Sequence, residues 1–272
     1  MVNVFMAVPT IYSELIQHYE QHFTQPRDQE FVRAVCKELM LSGSSALPQP
    51  TLLRWEEITG HTLLERYGMT EIGRDIFSIV CVCAGAVGVP LPGVEVCIVM
   101  TKAASSTVAE GNSRETQLMV RGDQVFTEYW NKPEATRESF TEDCWFKTGD
   151  TAVYKDGVSW IMGRTSVDII KSGGYTISAL EVEQHLLAHP DTTDVAVIGA
   201  RDATWEQKVT AVVQLKRGWS MTLSELKTWA SYALSCYSIP STTHGLVLVE
   251  EMPRNQMGKV NKKDRVKHFF PS

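Results

Sequence analysis

Hydrophobic positions recur at helical spacing in three early stretches of the chain. Residues 12–22 place Leu15, Ile16 and Tyr19 on one face, which predicts a helix. Residues 31–40 carry Phe31, Val32, Val35, Leu39 and Met40 in a second apolar-periodic run that passes into a small-residue turn, LSGSSA, at 41–46. Residues 52–58 predict a third helix, and residues 63–67 a strand ending in a loop at Gly68. From about residue 94 to 160 the period changes to two. VEVCIV at 94–99 and QLMVR at 117–121 alternate, with turn residues at 92–93, 121–123 and 156–157, so a β-rich subdomain is expected. Residues 103–115 are polar and read as a surface loop.

The last hundred residues predict an α+β unit. SALE at 178–181 is a capping box, in which the Ser178 hydroxyl accepts a free helix amide and Glu181 returns to the cap. The helix it opens runs to His189 and stops at Pro190. Strands are expected at 194–199, 209–215 and 246–249, and a second capping box, TLSE at 222–225, opens a helix to about Leu234. The fold class is therefore α/β followed by α+β, with a boundary near residues 164–168 and no internal repeat.

Composition narrows the field. Hydrophobic residues make up 43% and charged residues 21%, which supports a folded core and excludes wholesale disorder. The 272 residues allow one large domain or two modest ones. Lys and Arg number 26 against 32 Asp and Glu, a net charge of −6, so nothing favours nucleic acid or an acidic membrane as partner. The six cysteines include no C-x-x-C pair and are expected to be free, partly buried thiols in a reducing compartment. The longest uncharged run, 76–94, is interrupted by Gly85, Gly88, Pro90, Pro92 and Gly93 and reads as buried strand and turn, not a membrane span. No basic residue precedes Arg27, so neither a secretory signal nor an Arg-rich transit peptide is read at the N-terminus.

No phosphate loop of the G-x-x-x-x-G-K-[ST] type, dinucleotide fingerprint, G-x-S-x-G elbow or H-E-x-x-H motif is present. His18 with His22 and His185 with His189 are each four apart, but neither pair has an obvious third ligand, and solvated helical histidines are the simpler reading. Four short segments carry more. ERYGMTE at 65–71 sets an aromatic, a hydroxyl and a carboxylate around a glycine. The ring can stack on a base, the hydroxyl of Thr70 can donate to a phosphate, and Glu71 can ligate magnesium. TGD at 148–150 offers a carboxylate whose two oxygens can accept from both hydroxyls of a ribose. Gly163-Arg164 precedes IIKSGGY at 169–175, where paired glycines permit close backbone approach and an arginine fork suits ribose or phosphate. PRNQMGK at 253–259 presents a lysine beside a glycine, a compact charge suited to phosphate. Taken singly, each also fits an ordinary turn, hairpin or surface lysine.

Taken in order, YGMTE, TGD, GR…IKxGGY…ExE and PRNxxGK closely resemble the ANL adenylate-forming superfamily of acyl-CoA synthetases, nonribosomal adenylation domains and luciferases. VPTIY at 8–12, SGSSA at 42–46, GVPLPG at 88–93 and YWNKP at 129–133 extend the likeness. Residues 165–175 and 178–183 are most similar to malonyl-CoA synthetases within it. The resemblance implies that residues 1–163 are the latter part of a large AMP-binding domain, with its β-rich subdomain at about 94–163. It implies a hinge at 164–168 (Thr165, Ser166 and Val167) and a small mobile C-terminal domain at 169–272. ATP and Mg²⁺ would activate a carboxylic acid as acyl-adenylate, and coenzyme A would then displace AMP.

Residue by residue, the resemblance assigns Lys259 to the charge between carboxylate and α-phosphate, Glu71 to magnesium and Thr70 to a phosphate oxygen. Tyr67 and Gly68, with Gly43, Ser44 and Ser45, flank the adenine, while Asp150 and Arg164 take the ribose. Ser172, Gly173 and Gly174 line the path of CoA. Malonate or methylmalonate needs a cation for its second carboxylate, and Arg66 is the candidate, a structural salt bridge being the alternative. A mitochondrial matrix location follows from the resemblance alone.

Three departures stand out. The Ser/Thr/Gly-rich phosphate loop expected upstream of YGMTE is absent from the 272 residues, so the chain is expected to be the C-terminal part of a family sequence and inactive alone. RDIFSIVCVCA at 74–84 is unlike the polar continuation expected there, and 241–245 reads as a small insertion. Three functions stay open: a malonate-directed acyl-CoA ligase sequence, a catalytically dead isoform or fragment acting as a binding module, and another adenylate-forming enzyme such as a nonribosomal adenylation domain.

Overall fold

Two β-α-β crossovers open the chain. The computed structural model describes residues 4–23, 25–36, 39–73, 76–78, 85–100, 116–240, 245–255, 259–262, 264 and 269. The polar stretch at 103–115, most of the atypical segment 74–84, residues 241–244 and residues 256–258 of the PRNQMGK motif lie outside them. The chain divides into two units: residues 1–99 with 117–161, and residues 100–116 with 162–272.

In the first unit, strand β1 (Val4–Ala7) leads into helices α1 (Pro9–His22) and α2 (Pro26–Val35). Strand β2 (Leu39–Gly43), helix α3 (Gln49–Thr59) and strand β3 (Leu64–Arg66) follow. The three strands pair in parallel in the order β1-β2-β3. Each helix begins with a proline in its first turn, where the missing N–H has no partner to lose. Tyr12, Ile16, Leu52, Trp55 and Ile58 form the buried core between α1, α3 and the sheet. One expectation needs correcting. The apolar run 31–40 is not one helical stretch: α2 ends at Val35, and Leu39 and Met40 start β2. Leu39 is exposed and Met40 partly buried where β2 begins, and a strand draws on the same apolar residues as a helix face, so composition hides the change.

The remaining strands, which lie in this unit apart from Met100, Thr116 and residues 162–164, are β4 (Phe77–Ser78), β5 (Ala86–Pro90), β6 (Glu95–Met100), β7 (Thr116–Arg121), β8 (Phe146–Lys147), β9 (Asp150–Lys155) and β10 (Val158–Arg164), with α4 (Pro133–Ser139) between β7 and β8. They form two small sheets, β4-β5-β10-β9 and β6-β7-β8. Ile72, Ile76, Phe77, Val87, Val120 and Phe146 make their shared core.

The second unit contains β11 (Ile169–Ser172), β12 (Tyr175–Ser178), α5 (Ala179–Leu187), β13 (Thr192–Asp202), β14 (Glu206–Leu215), α6 (Leu223–Ala230) and β15 (Leu246–Val249). The sheet runs β12-β11-β14-β13, with β15 pairing parallel to β14. Strand β13 is buried on both faces. Val195 and Val197 join the core under α5 and α6, while Ala196 and Ile198 join a second cluster with Val212 and Met252. The capping box at Thr222 and Glu225 forms in both directions. At Ser178 only half forms: its hydroxyl accepts from Glu181 N at 3.2 Å. The same hydroxyl donates to the Met162 carbonyl at 2.7 Å, and Ser178 itself pairs in β12 with Ile169. Helix α5 ends at Leu187 and α6 at Ala230, two and four residues short of expectation. Among the described cysteines all four are free; Cys36 and Cys97 are partly buried, whereas Cys144 and Cys236 are exposed. No helix among the described residues is long and apolar enough to cross a membrane.

Candidate active site

Parallel strands open ligand clefts at their carboxyl ends, and two of the candidate segments stand there. Gly43 ends β2 directly opposite Arg66, which ends β3. Ser44 follows in the left-handed region at φ 68°, turning the chain sharply off the strand. After β3 the chain forms a tight hairpin. Met69 N donates to the Gly73 carbonyl at 3.2 Å, and Ile72 N to the Met69 carbonyl at 3.2 Å. Thr70 and Glu71 occupy the tip, with Thr70 exposed.

Two long-range bonds hold this hairpin. The Tyr67 hydroxyl donates to Asp150 Oδ2 at 2.6 Å, and the Tyr129 hydroxyl donates to Glu71 Oε1 at 3.0 Å. Phe126 N also donates to the Glu71 carbonyl at 2.8 Å. Asp150 is 7% exposed at the head of β9. Its own N–H donates to Thr148 Oγ1 at 3.1 Å, and that hydroxyl donates to the Leu118 carbonyl at 2.8 Å. The TGD turn thus hangs from β7. Tyr67, Glu71 and Asp150 are brought into one cluster with Tyr129, a residue to which the sequence assigned no role.

Glu65 is a second missed residue. One carboxylate oxygen accepts from Leu47 N and the other from Gly85 N, both at 3.0 Å. It therefore ties the strand before Tyr67 to the end of the SGSSA loop. Burial pushes its carboxyl above the usual range, and the two amides pull it partly back. Arg66 is half-buried, and its guanidinium donates to Met6 Sδ at 3.4 Å, a weak acceptor.

The other candidates belong to the second unit. Residues 164–168 form a turn in which Val167 N and Asp168 N both donate to the Arg164 carbonyl. The Asp168 carboxylate accepts from Arg164 N at 2.9 Å, and the Arg164 side chain is exposed. Ser172, Gly173 and Gly174 form the β11–β12 turn. The Trp205 ring lies over Gly173, so a Cβ there would come within 2.6 Å of it, and Gly173 N donates to the Trp205 carbonyl. Beside this turn is an open cleft of about 720 Å³ lined by Lys171, Arg201, Glu206 and Gln207. Lys259 is exposed at the foot of a hairpin: Lys259 N donates to Asn255 Oδ1 at 2.9 Å, and Asn255 N to the Lys259 carbonyl at 2.8 Å.

The donor sets suit a nucleotide and its metal. Asp150 is a buried carboxylate already held by a phenol, and Glu71 presents a carboxylate fixed through one oxygen at an exposed tip. No cluster of three His, Cys, Asp or Glu occurs among the described residues, so a divalent cation held by Glu71 would share its shell with other oxygens, from water or phosphate.

The chain matches the AMP-binding enzyme family over residues 1–130 and the AMP-binding enzyme C-terminal domain over residues 181–259. It belongs to the AMP-binding enzyme family. It is 58% identical over 100% of its length to the malonate–CoA ligase ACSF3, mitochondrial, of Homo sapiens, of which it covers 50%. It is 44% identical to the malonate–CoA ligase of Arabidopsis thaliana, with 97% of this chain and 44% of that protein covered. The crystal structure of ATP-bound MatB from Rhodopseudomonas palustris superposes with a TM-score of 0.83 at 30% identity, over 99% of this chain and 51% of that one. The expected mixed α/β architecture is thus the ANL fold. The chain spans about half the length of the relatives it matches.

Proposed function

We propose that this sequence serves an ATP-dependent acid–thiol ligase that makes malonyl-CoA. The observation that carries the reading is the Tyr67–Asp150 and Tyr129–Glu71 pair of bonds, which brings Tyr67, Asp150 and Glu71, the residues read as base-stacking, ribose-binding and metal-binding, into one cluster. The likeness to the malonate–CoA ligases supports the choice of acid.

On this reading Tyr67 lies along the adenine with Gly43, Ser44 and Ser45, and Asp150 accepts from the ribose hydroxyls with Arg164. Thr70 donates to a phosphate oxygen. Glu71 holds Mg²⁺, which supplies charge neutralisation at the phosphates. Lys259 stabilises the negative charge that builds between the attacking carboxylate and the α-phosphate, and its loss lowers adenylate formation by roughly 10²–10³-fold. Arg66 exchanges its weak thioether contact for the second carboxylate of malonate, a bidentate pairing. In the second step the pantetheine thiol passes Ser172, Gly173 and Gly174, where Gly173 admits the Trp205 ring against bare backbone. Residues 1–163 and 169–272 act as the large and small domains, with 164–168 as their hinge. The name of the human relative supports a mitochondrial location, and the matrix is proposed on the family resemblance alone.

Malonate-dependent exchange of pyrophosphate into ATP tests this. It is measured on this chain and on the chain joined to the preceding half of the human relative. Exchange lost in Lys259→Ala is expected in at least the joined form, and Arg66→Ala is expected to lose malonate response while keeping ATP binding. No exchange in either form leaves a binding module and overturns the ligase reading.

A further inference from the structure

Three residues beyond Lys259, a second lysine is buried. Lys262 has a side chain 10% exposed and lies between two carboxylates, 2.6 Å from Asp168 Oδ1 and 2.7 Å from Glu183 Oε1. The same Glu183 oxygen accepts from Val197 N at 2.7 Å, which fixes it to β13. Burial alone would push the Lys262 ammonium down, but the charges of Glu183 and Asp168 override it and hold it above the usual range.

Asp168 has an oxygen on each of two jobs. Oδ2 accepts from Arg164 N and closes the 164–168 turn, while Oδ1 takes Lys262. Its side chain is folded so tightly over Gly163 that a Cβ there would lie 2.5 Å from Asp168 Cβ, and Gly163 adopts φ +120°. On the other side, the hairpin at Lys259 is closed by the Arg254–Val260 bridge, and Arg254 is paired with Asp194 on β13. Lys262 therefore joins the exit of this hairpin to the 164–168 turn by an ion pair.

We propose that Lys262 is a positioning residue: clamped by Asp168 and Glu183, it locks the Lys259 hairpin to the 164–168 turn so that the two move as one body. Its functional meaning rests on the reading of Lys259 and of 164–168 given above. Any rotation at that turn would then carry Lys259 with it at full amplitude, with no slack between hinge and reacting-site lysine.

Amide hydrogen exchange on the whole chain tests this without requiring turnover. Lys262→Met is expected to speed exchange at least tenfold at two places together: Arg164, Val167 and Asp168 in the turn, and Asn255 and Lys259 in the hairpin. The core amides of β13 and β14 keep their protection. Lys262→Arg restores slow exchange at both places. Arg254→Met loosens the hairpin and leaves the turn unchanged. Because Lys262→Met leaves two carboxylates without their cation, Lys262→Met with Glu183→Gln is the companion variant, and it should loosen the same two places. Loosening at only one place, at neither, or equally throughout the unit in the companion variant overturns the proposal. Failure of Lys259→Ala to reduce pyrophosphate exchange would sink the catalytic reading instead, and leaves the exchange pattern as it is.

Discussion

Removal of the Tyr67 hydroxyl should cost more than an ordinary surface hydrogen bond. The bond to Asp150 Oδ2 is 2.6 Å long, its acceptor is a carboxylate, and that carboxylate is 7% exposed. Short O–H···O⁻ bonds are charge-assisted, and hydrogen bonds to charged groups contribute about 1.5–3 kcal/mol. Water can reach Asp150 only poorly, so little of that is recovered by solvent when the donor goes. The perturbation is a double-mutant cycle of Tyr67→Phe and Asp150→Ala. Phenylalanine keeps the ring against Phe77, whose centroid is 5.9 Å away, so packing is held constant. The assay is native-state amide exchange at Ile76 and Thr148, whose N–H groups donate to the Tyr67 and Leu118 carbonyls and so report the hairpin and the TGD turn separately. The expected coupling is about 1.5–3 kcal/mol, seen at both amides. Effects that add to within about 0.5 kcal/mol would show the two side chains to be independent and would refute the reasoning.

Other outcomes follow from single sites. The Tyr12 phenol is fully buried, donates to the Leu41 carbonyl at 2.7 Å, and is pushed up to about 12 by burial. The unfolded chain ionises near the ordinary value first, so stability is flat below about pH 10 and falls as pH rises from there towards 12. Urea midpoints across that range should show the decline, and Tyr12→Phe should remove it. Glu65→Ala strips the acceptor from two backbone amides and should lower stability by about 2–4 kcal/mol, with Glu65→Gln losing roughly half of that; equal losses in urea titrations would contradict the two-amide account. Gly173→Ala should displace the Trp205 ring, because a Cβ at φ +57° falls 2.6 Å from it. The check is near-ultraviolet circular dichroism set against a Trp205→Phe control, and an unchanged Trp205 signal would refute the contact.

Element types were largely legible because period-2 and period-3.6 patterns differ wherever one face is wet. They failed where the apolar residues of two neighbouring elements follow one another at a spacing that fits a single helix. The run 31–40 joins a helix whose Phe31 and Val35 are exposed to a strand whose Leu41 is buried, and apolar spacing alone cannot divide them. Ser178 shows a different limit. SALE and TLSE are equivalent as strings, yet only Thr222 completes the box, because the Ser178 hydroxyl also serves Met162 and its backbone is engaged in β12.

The site divides in the same way. Glu71, Asp150 and Lys259 could be singled out because each is a chemically capable group in a short loop, and those loops recur in order. What holds them could not. Glu65 reaches amides 18 and 20 residues away, Tyr67 reaches Asp150 across 83, and Lys262 reaches Asp168 across 94. Such pairings are decided by which strands lie side by side, which is a property of the assembled sheet. Lys259 and Lys262 make the point within four residues. Both are lysines in one polar segment, yet one is exposed at the foot of a hairpin and the other is sealed between two carboxylates. An exposed ammonium is available to a phosphate; a sealed one has its charge already spoken for and can only transmit position.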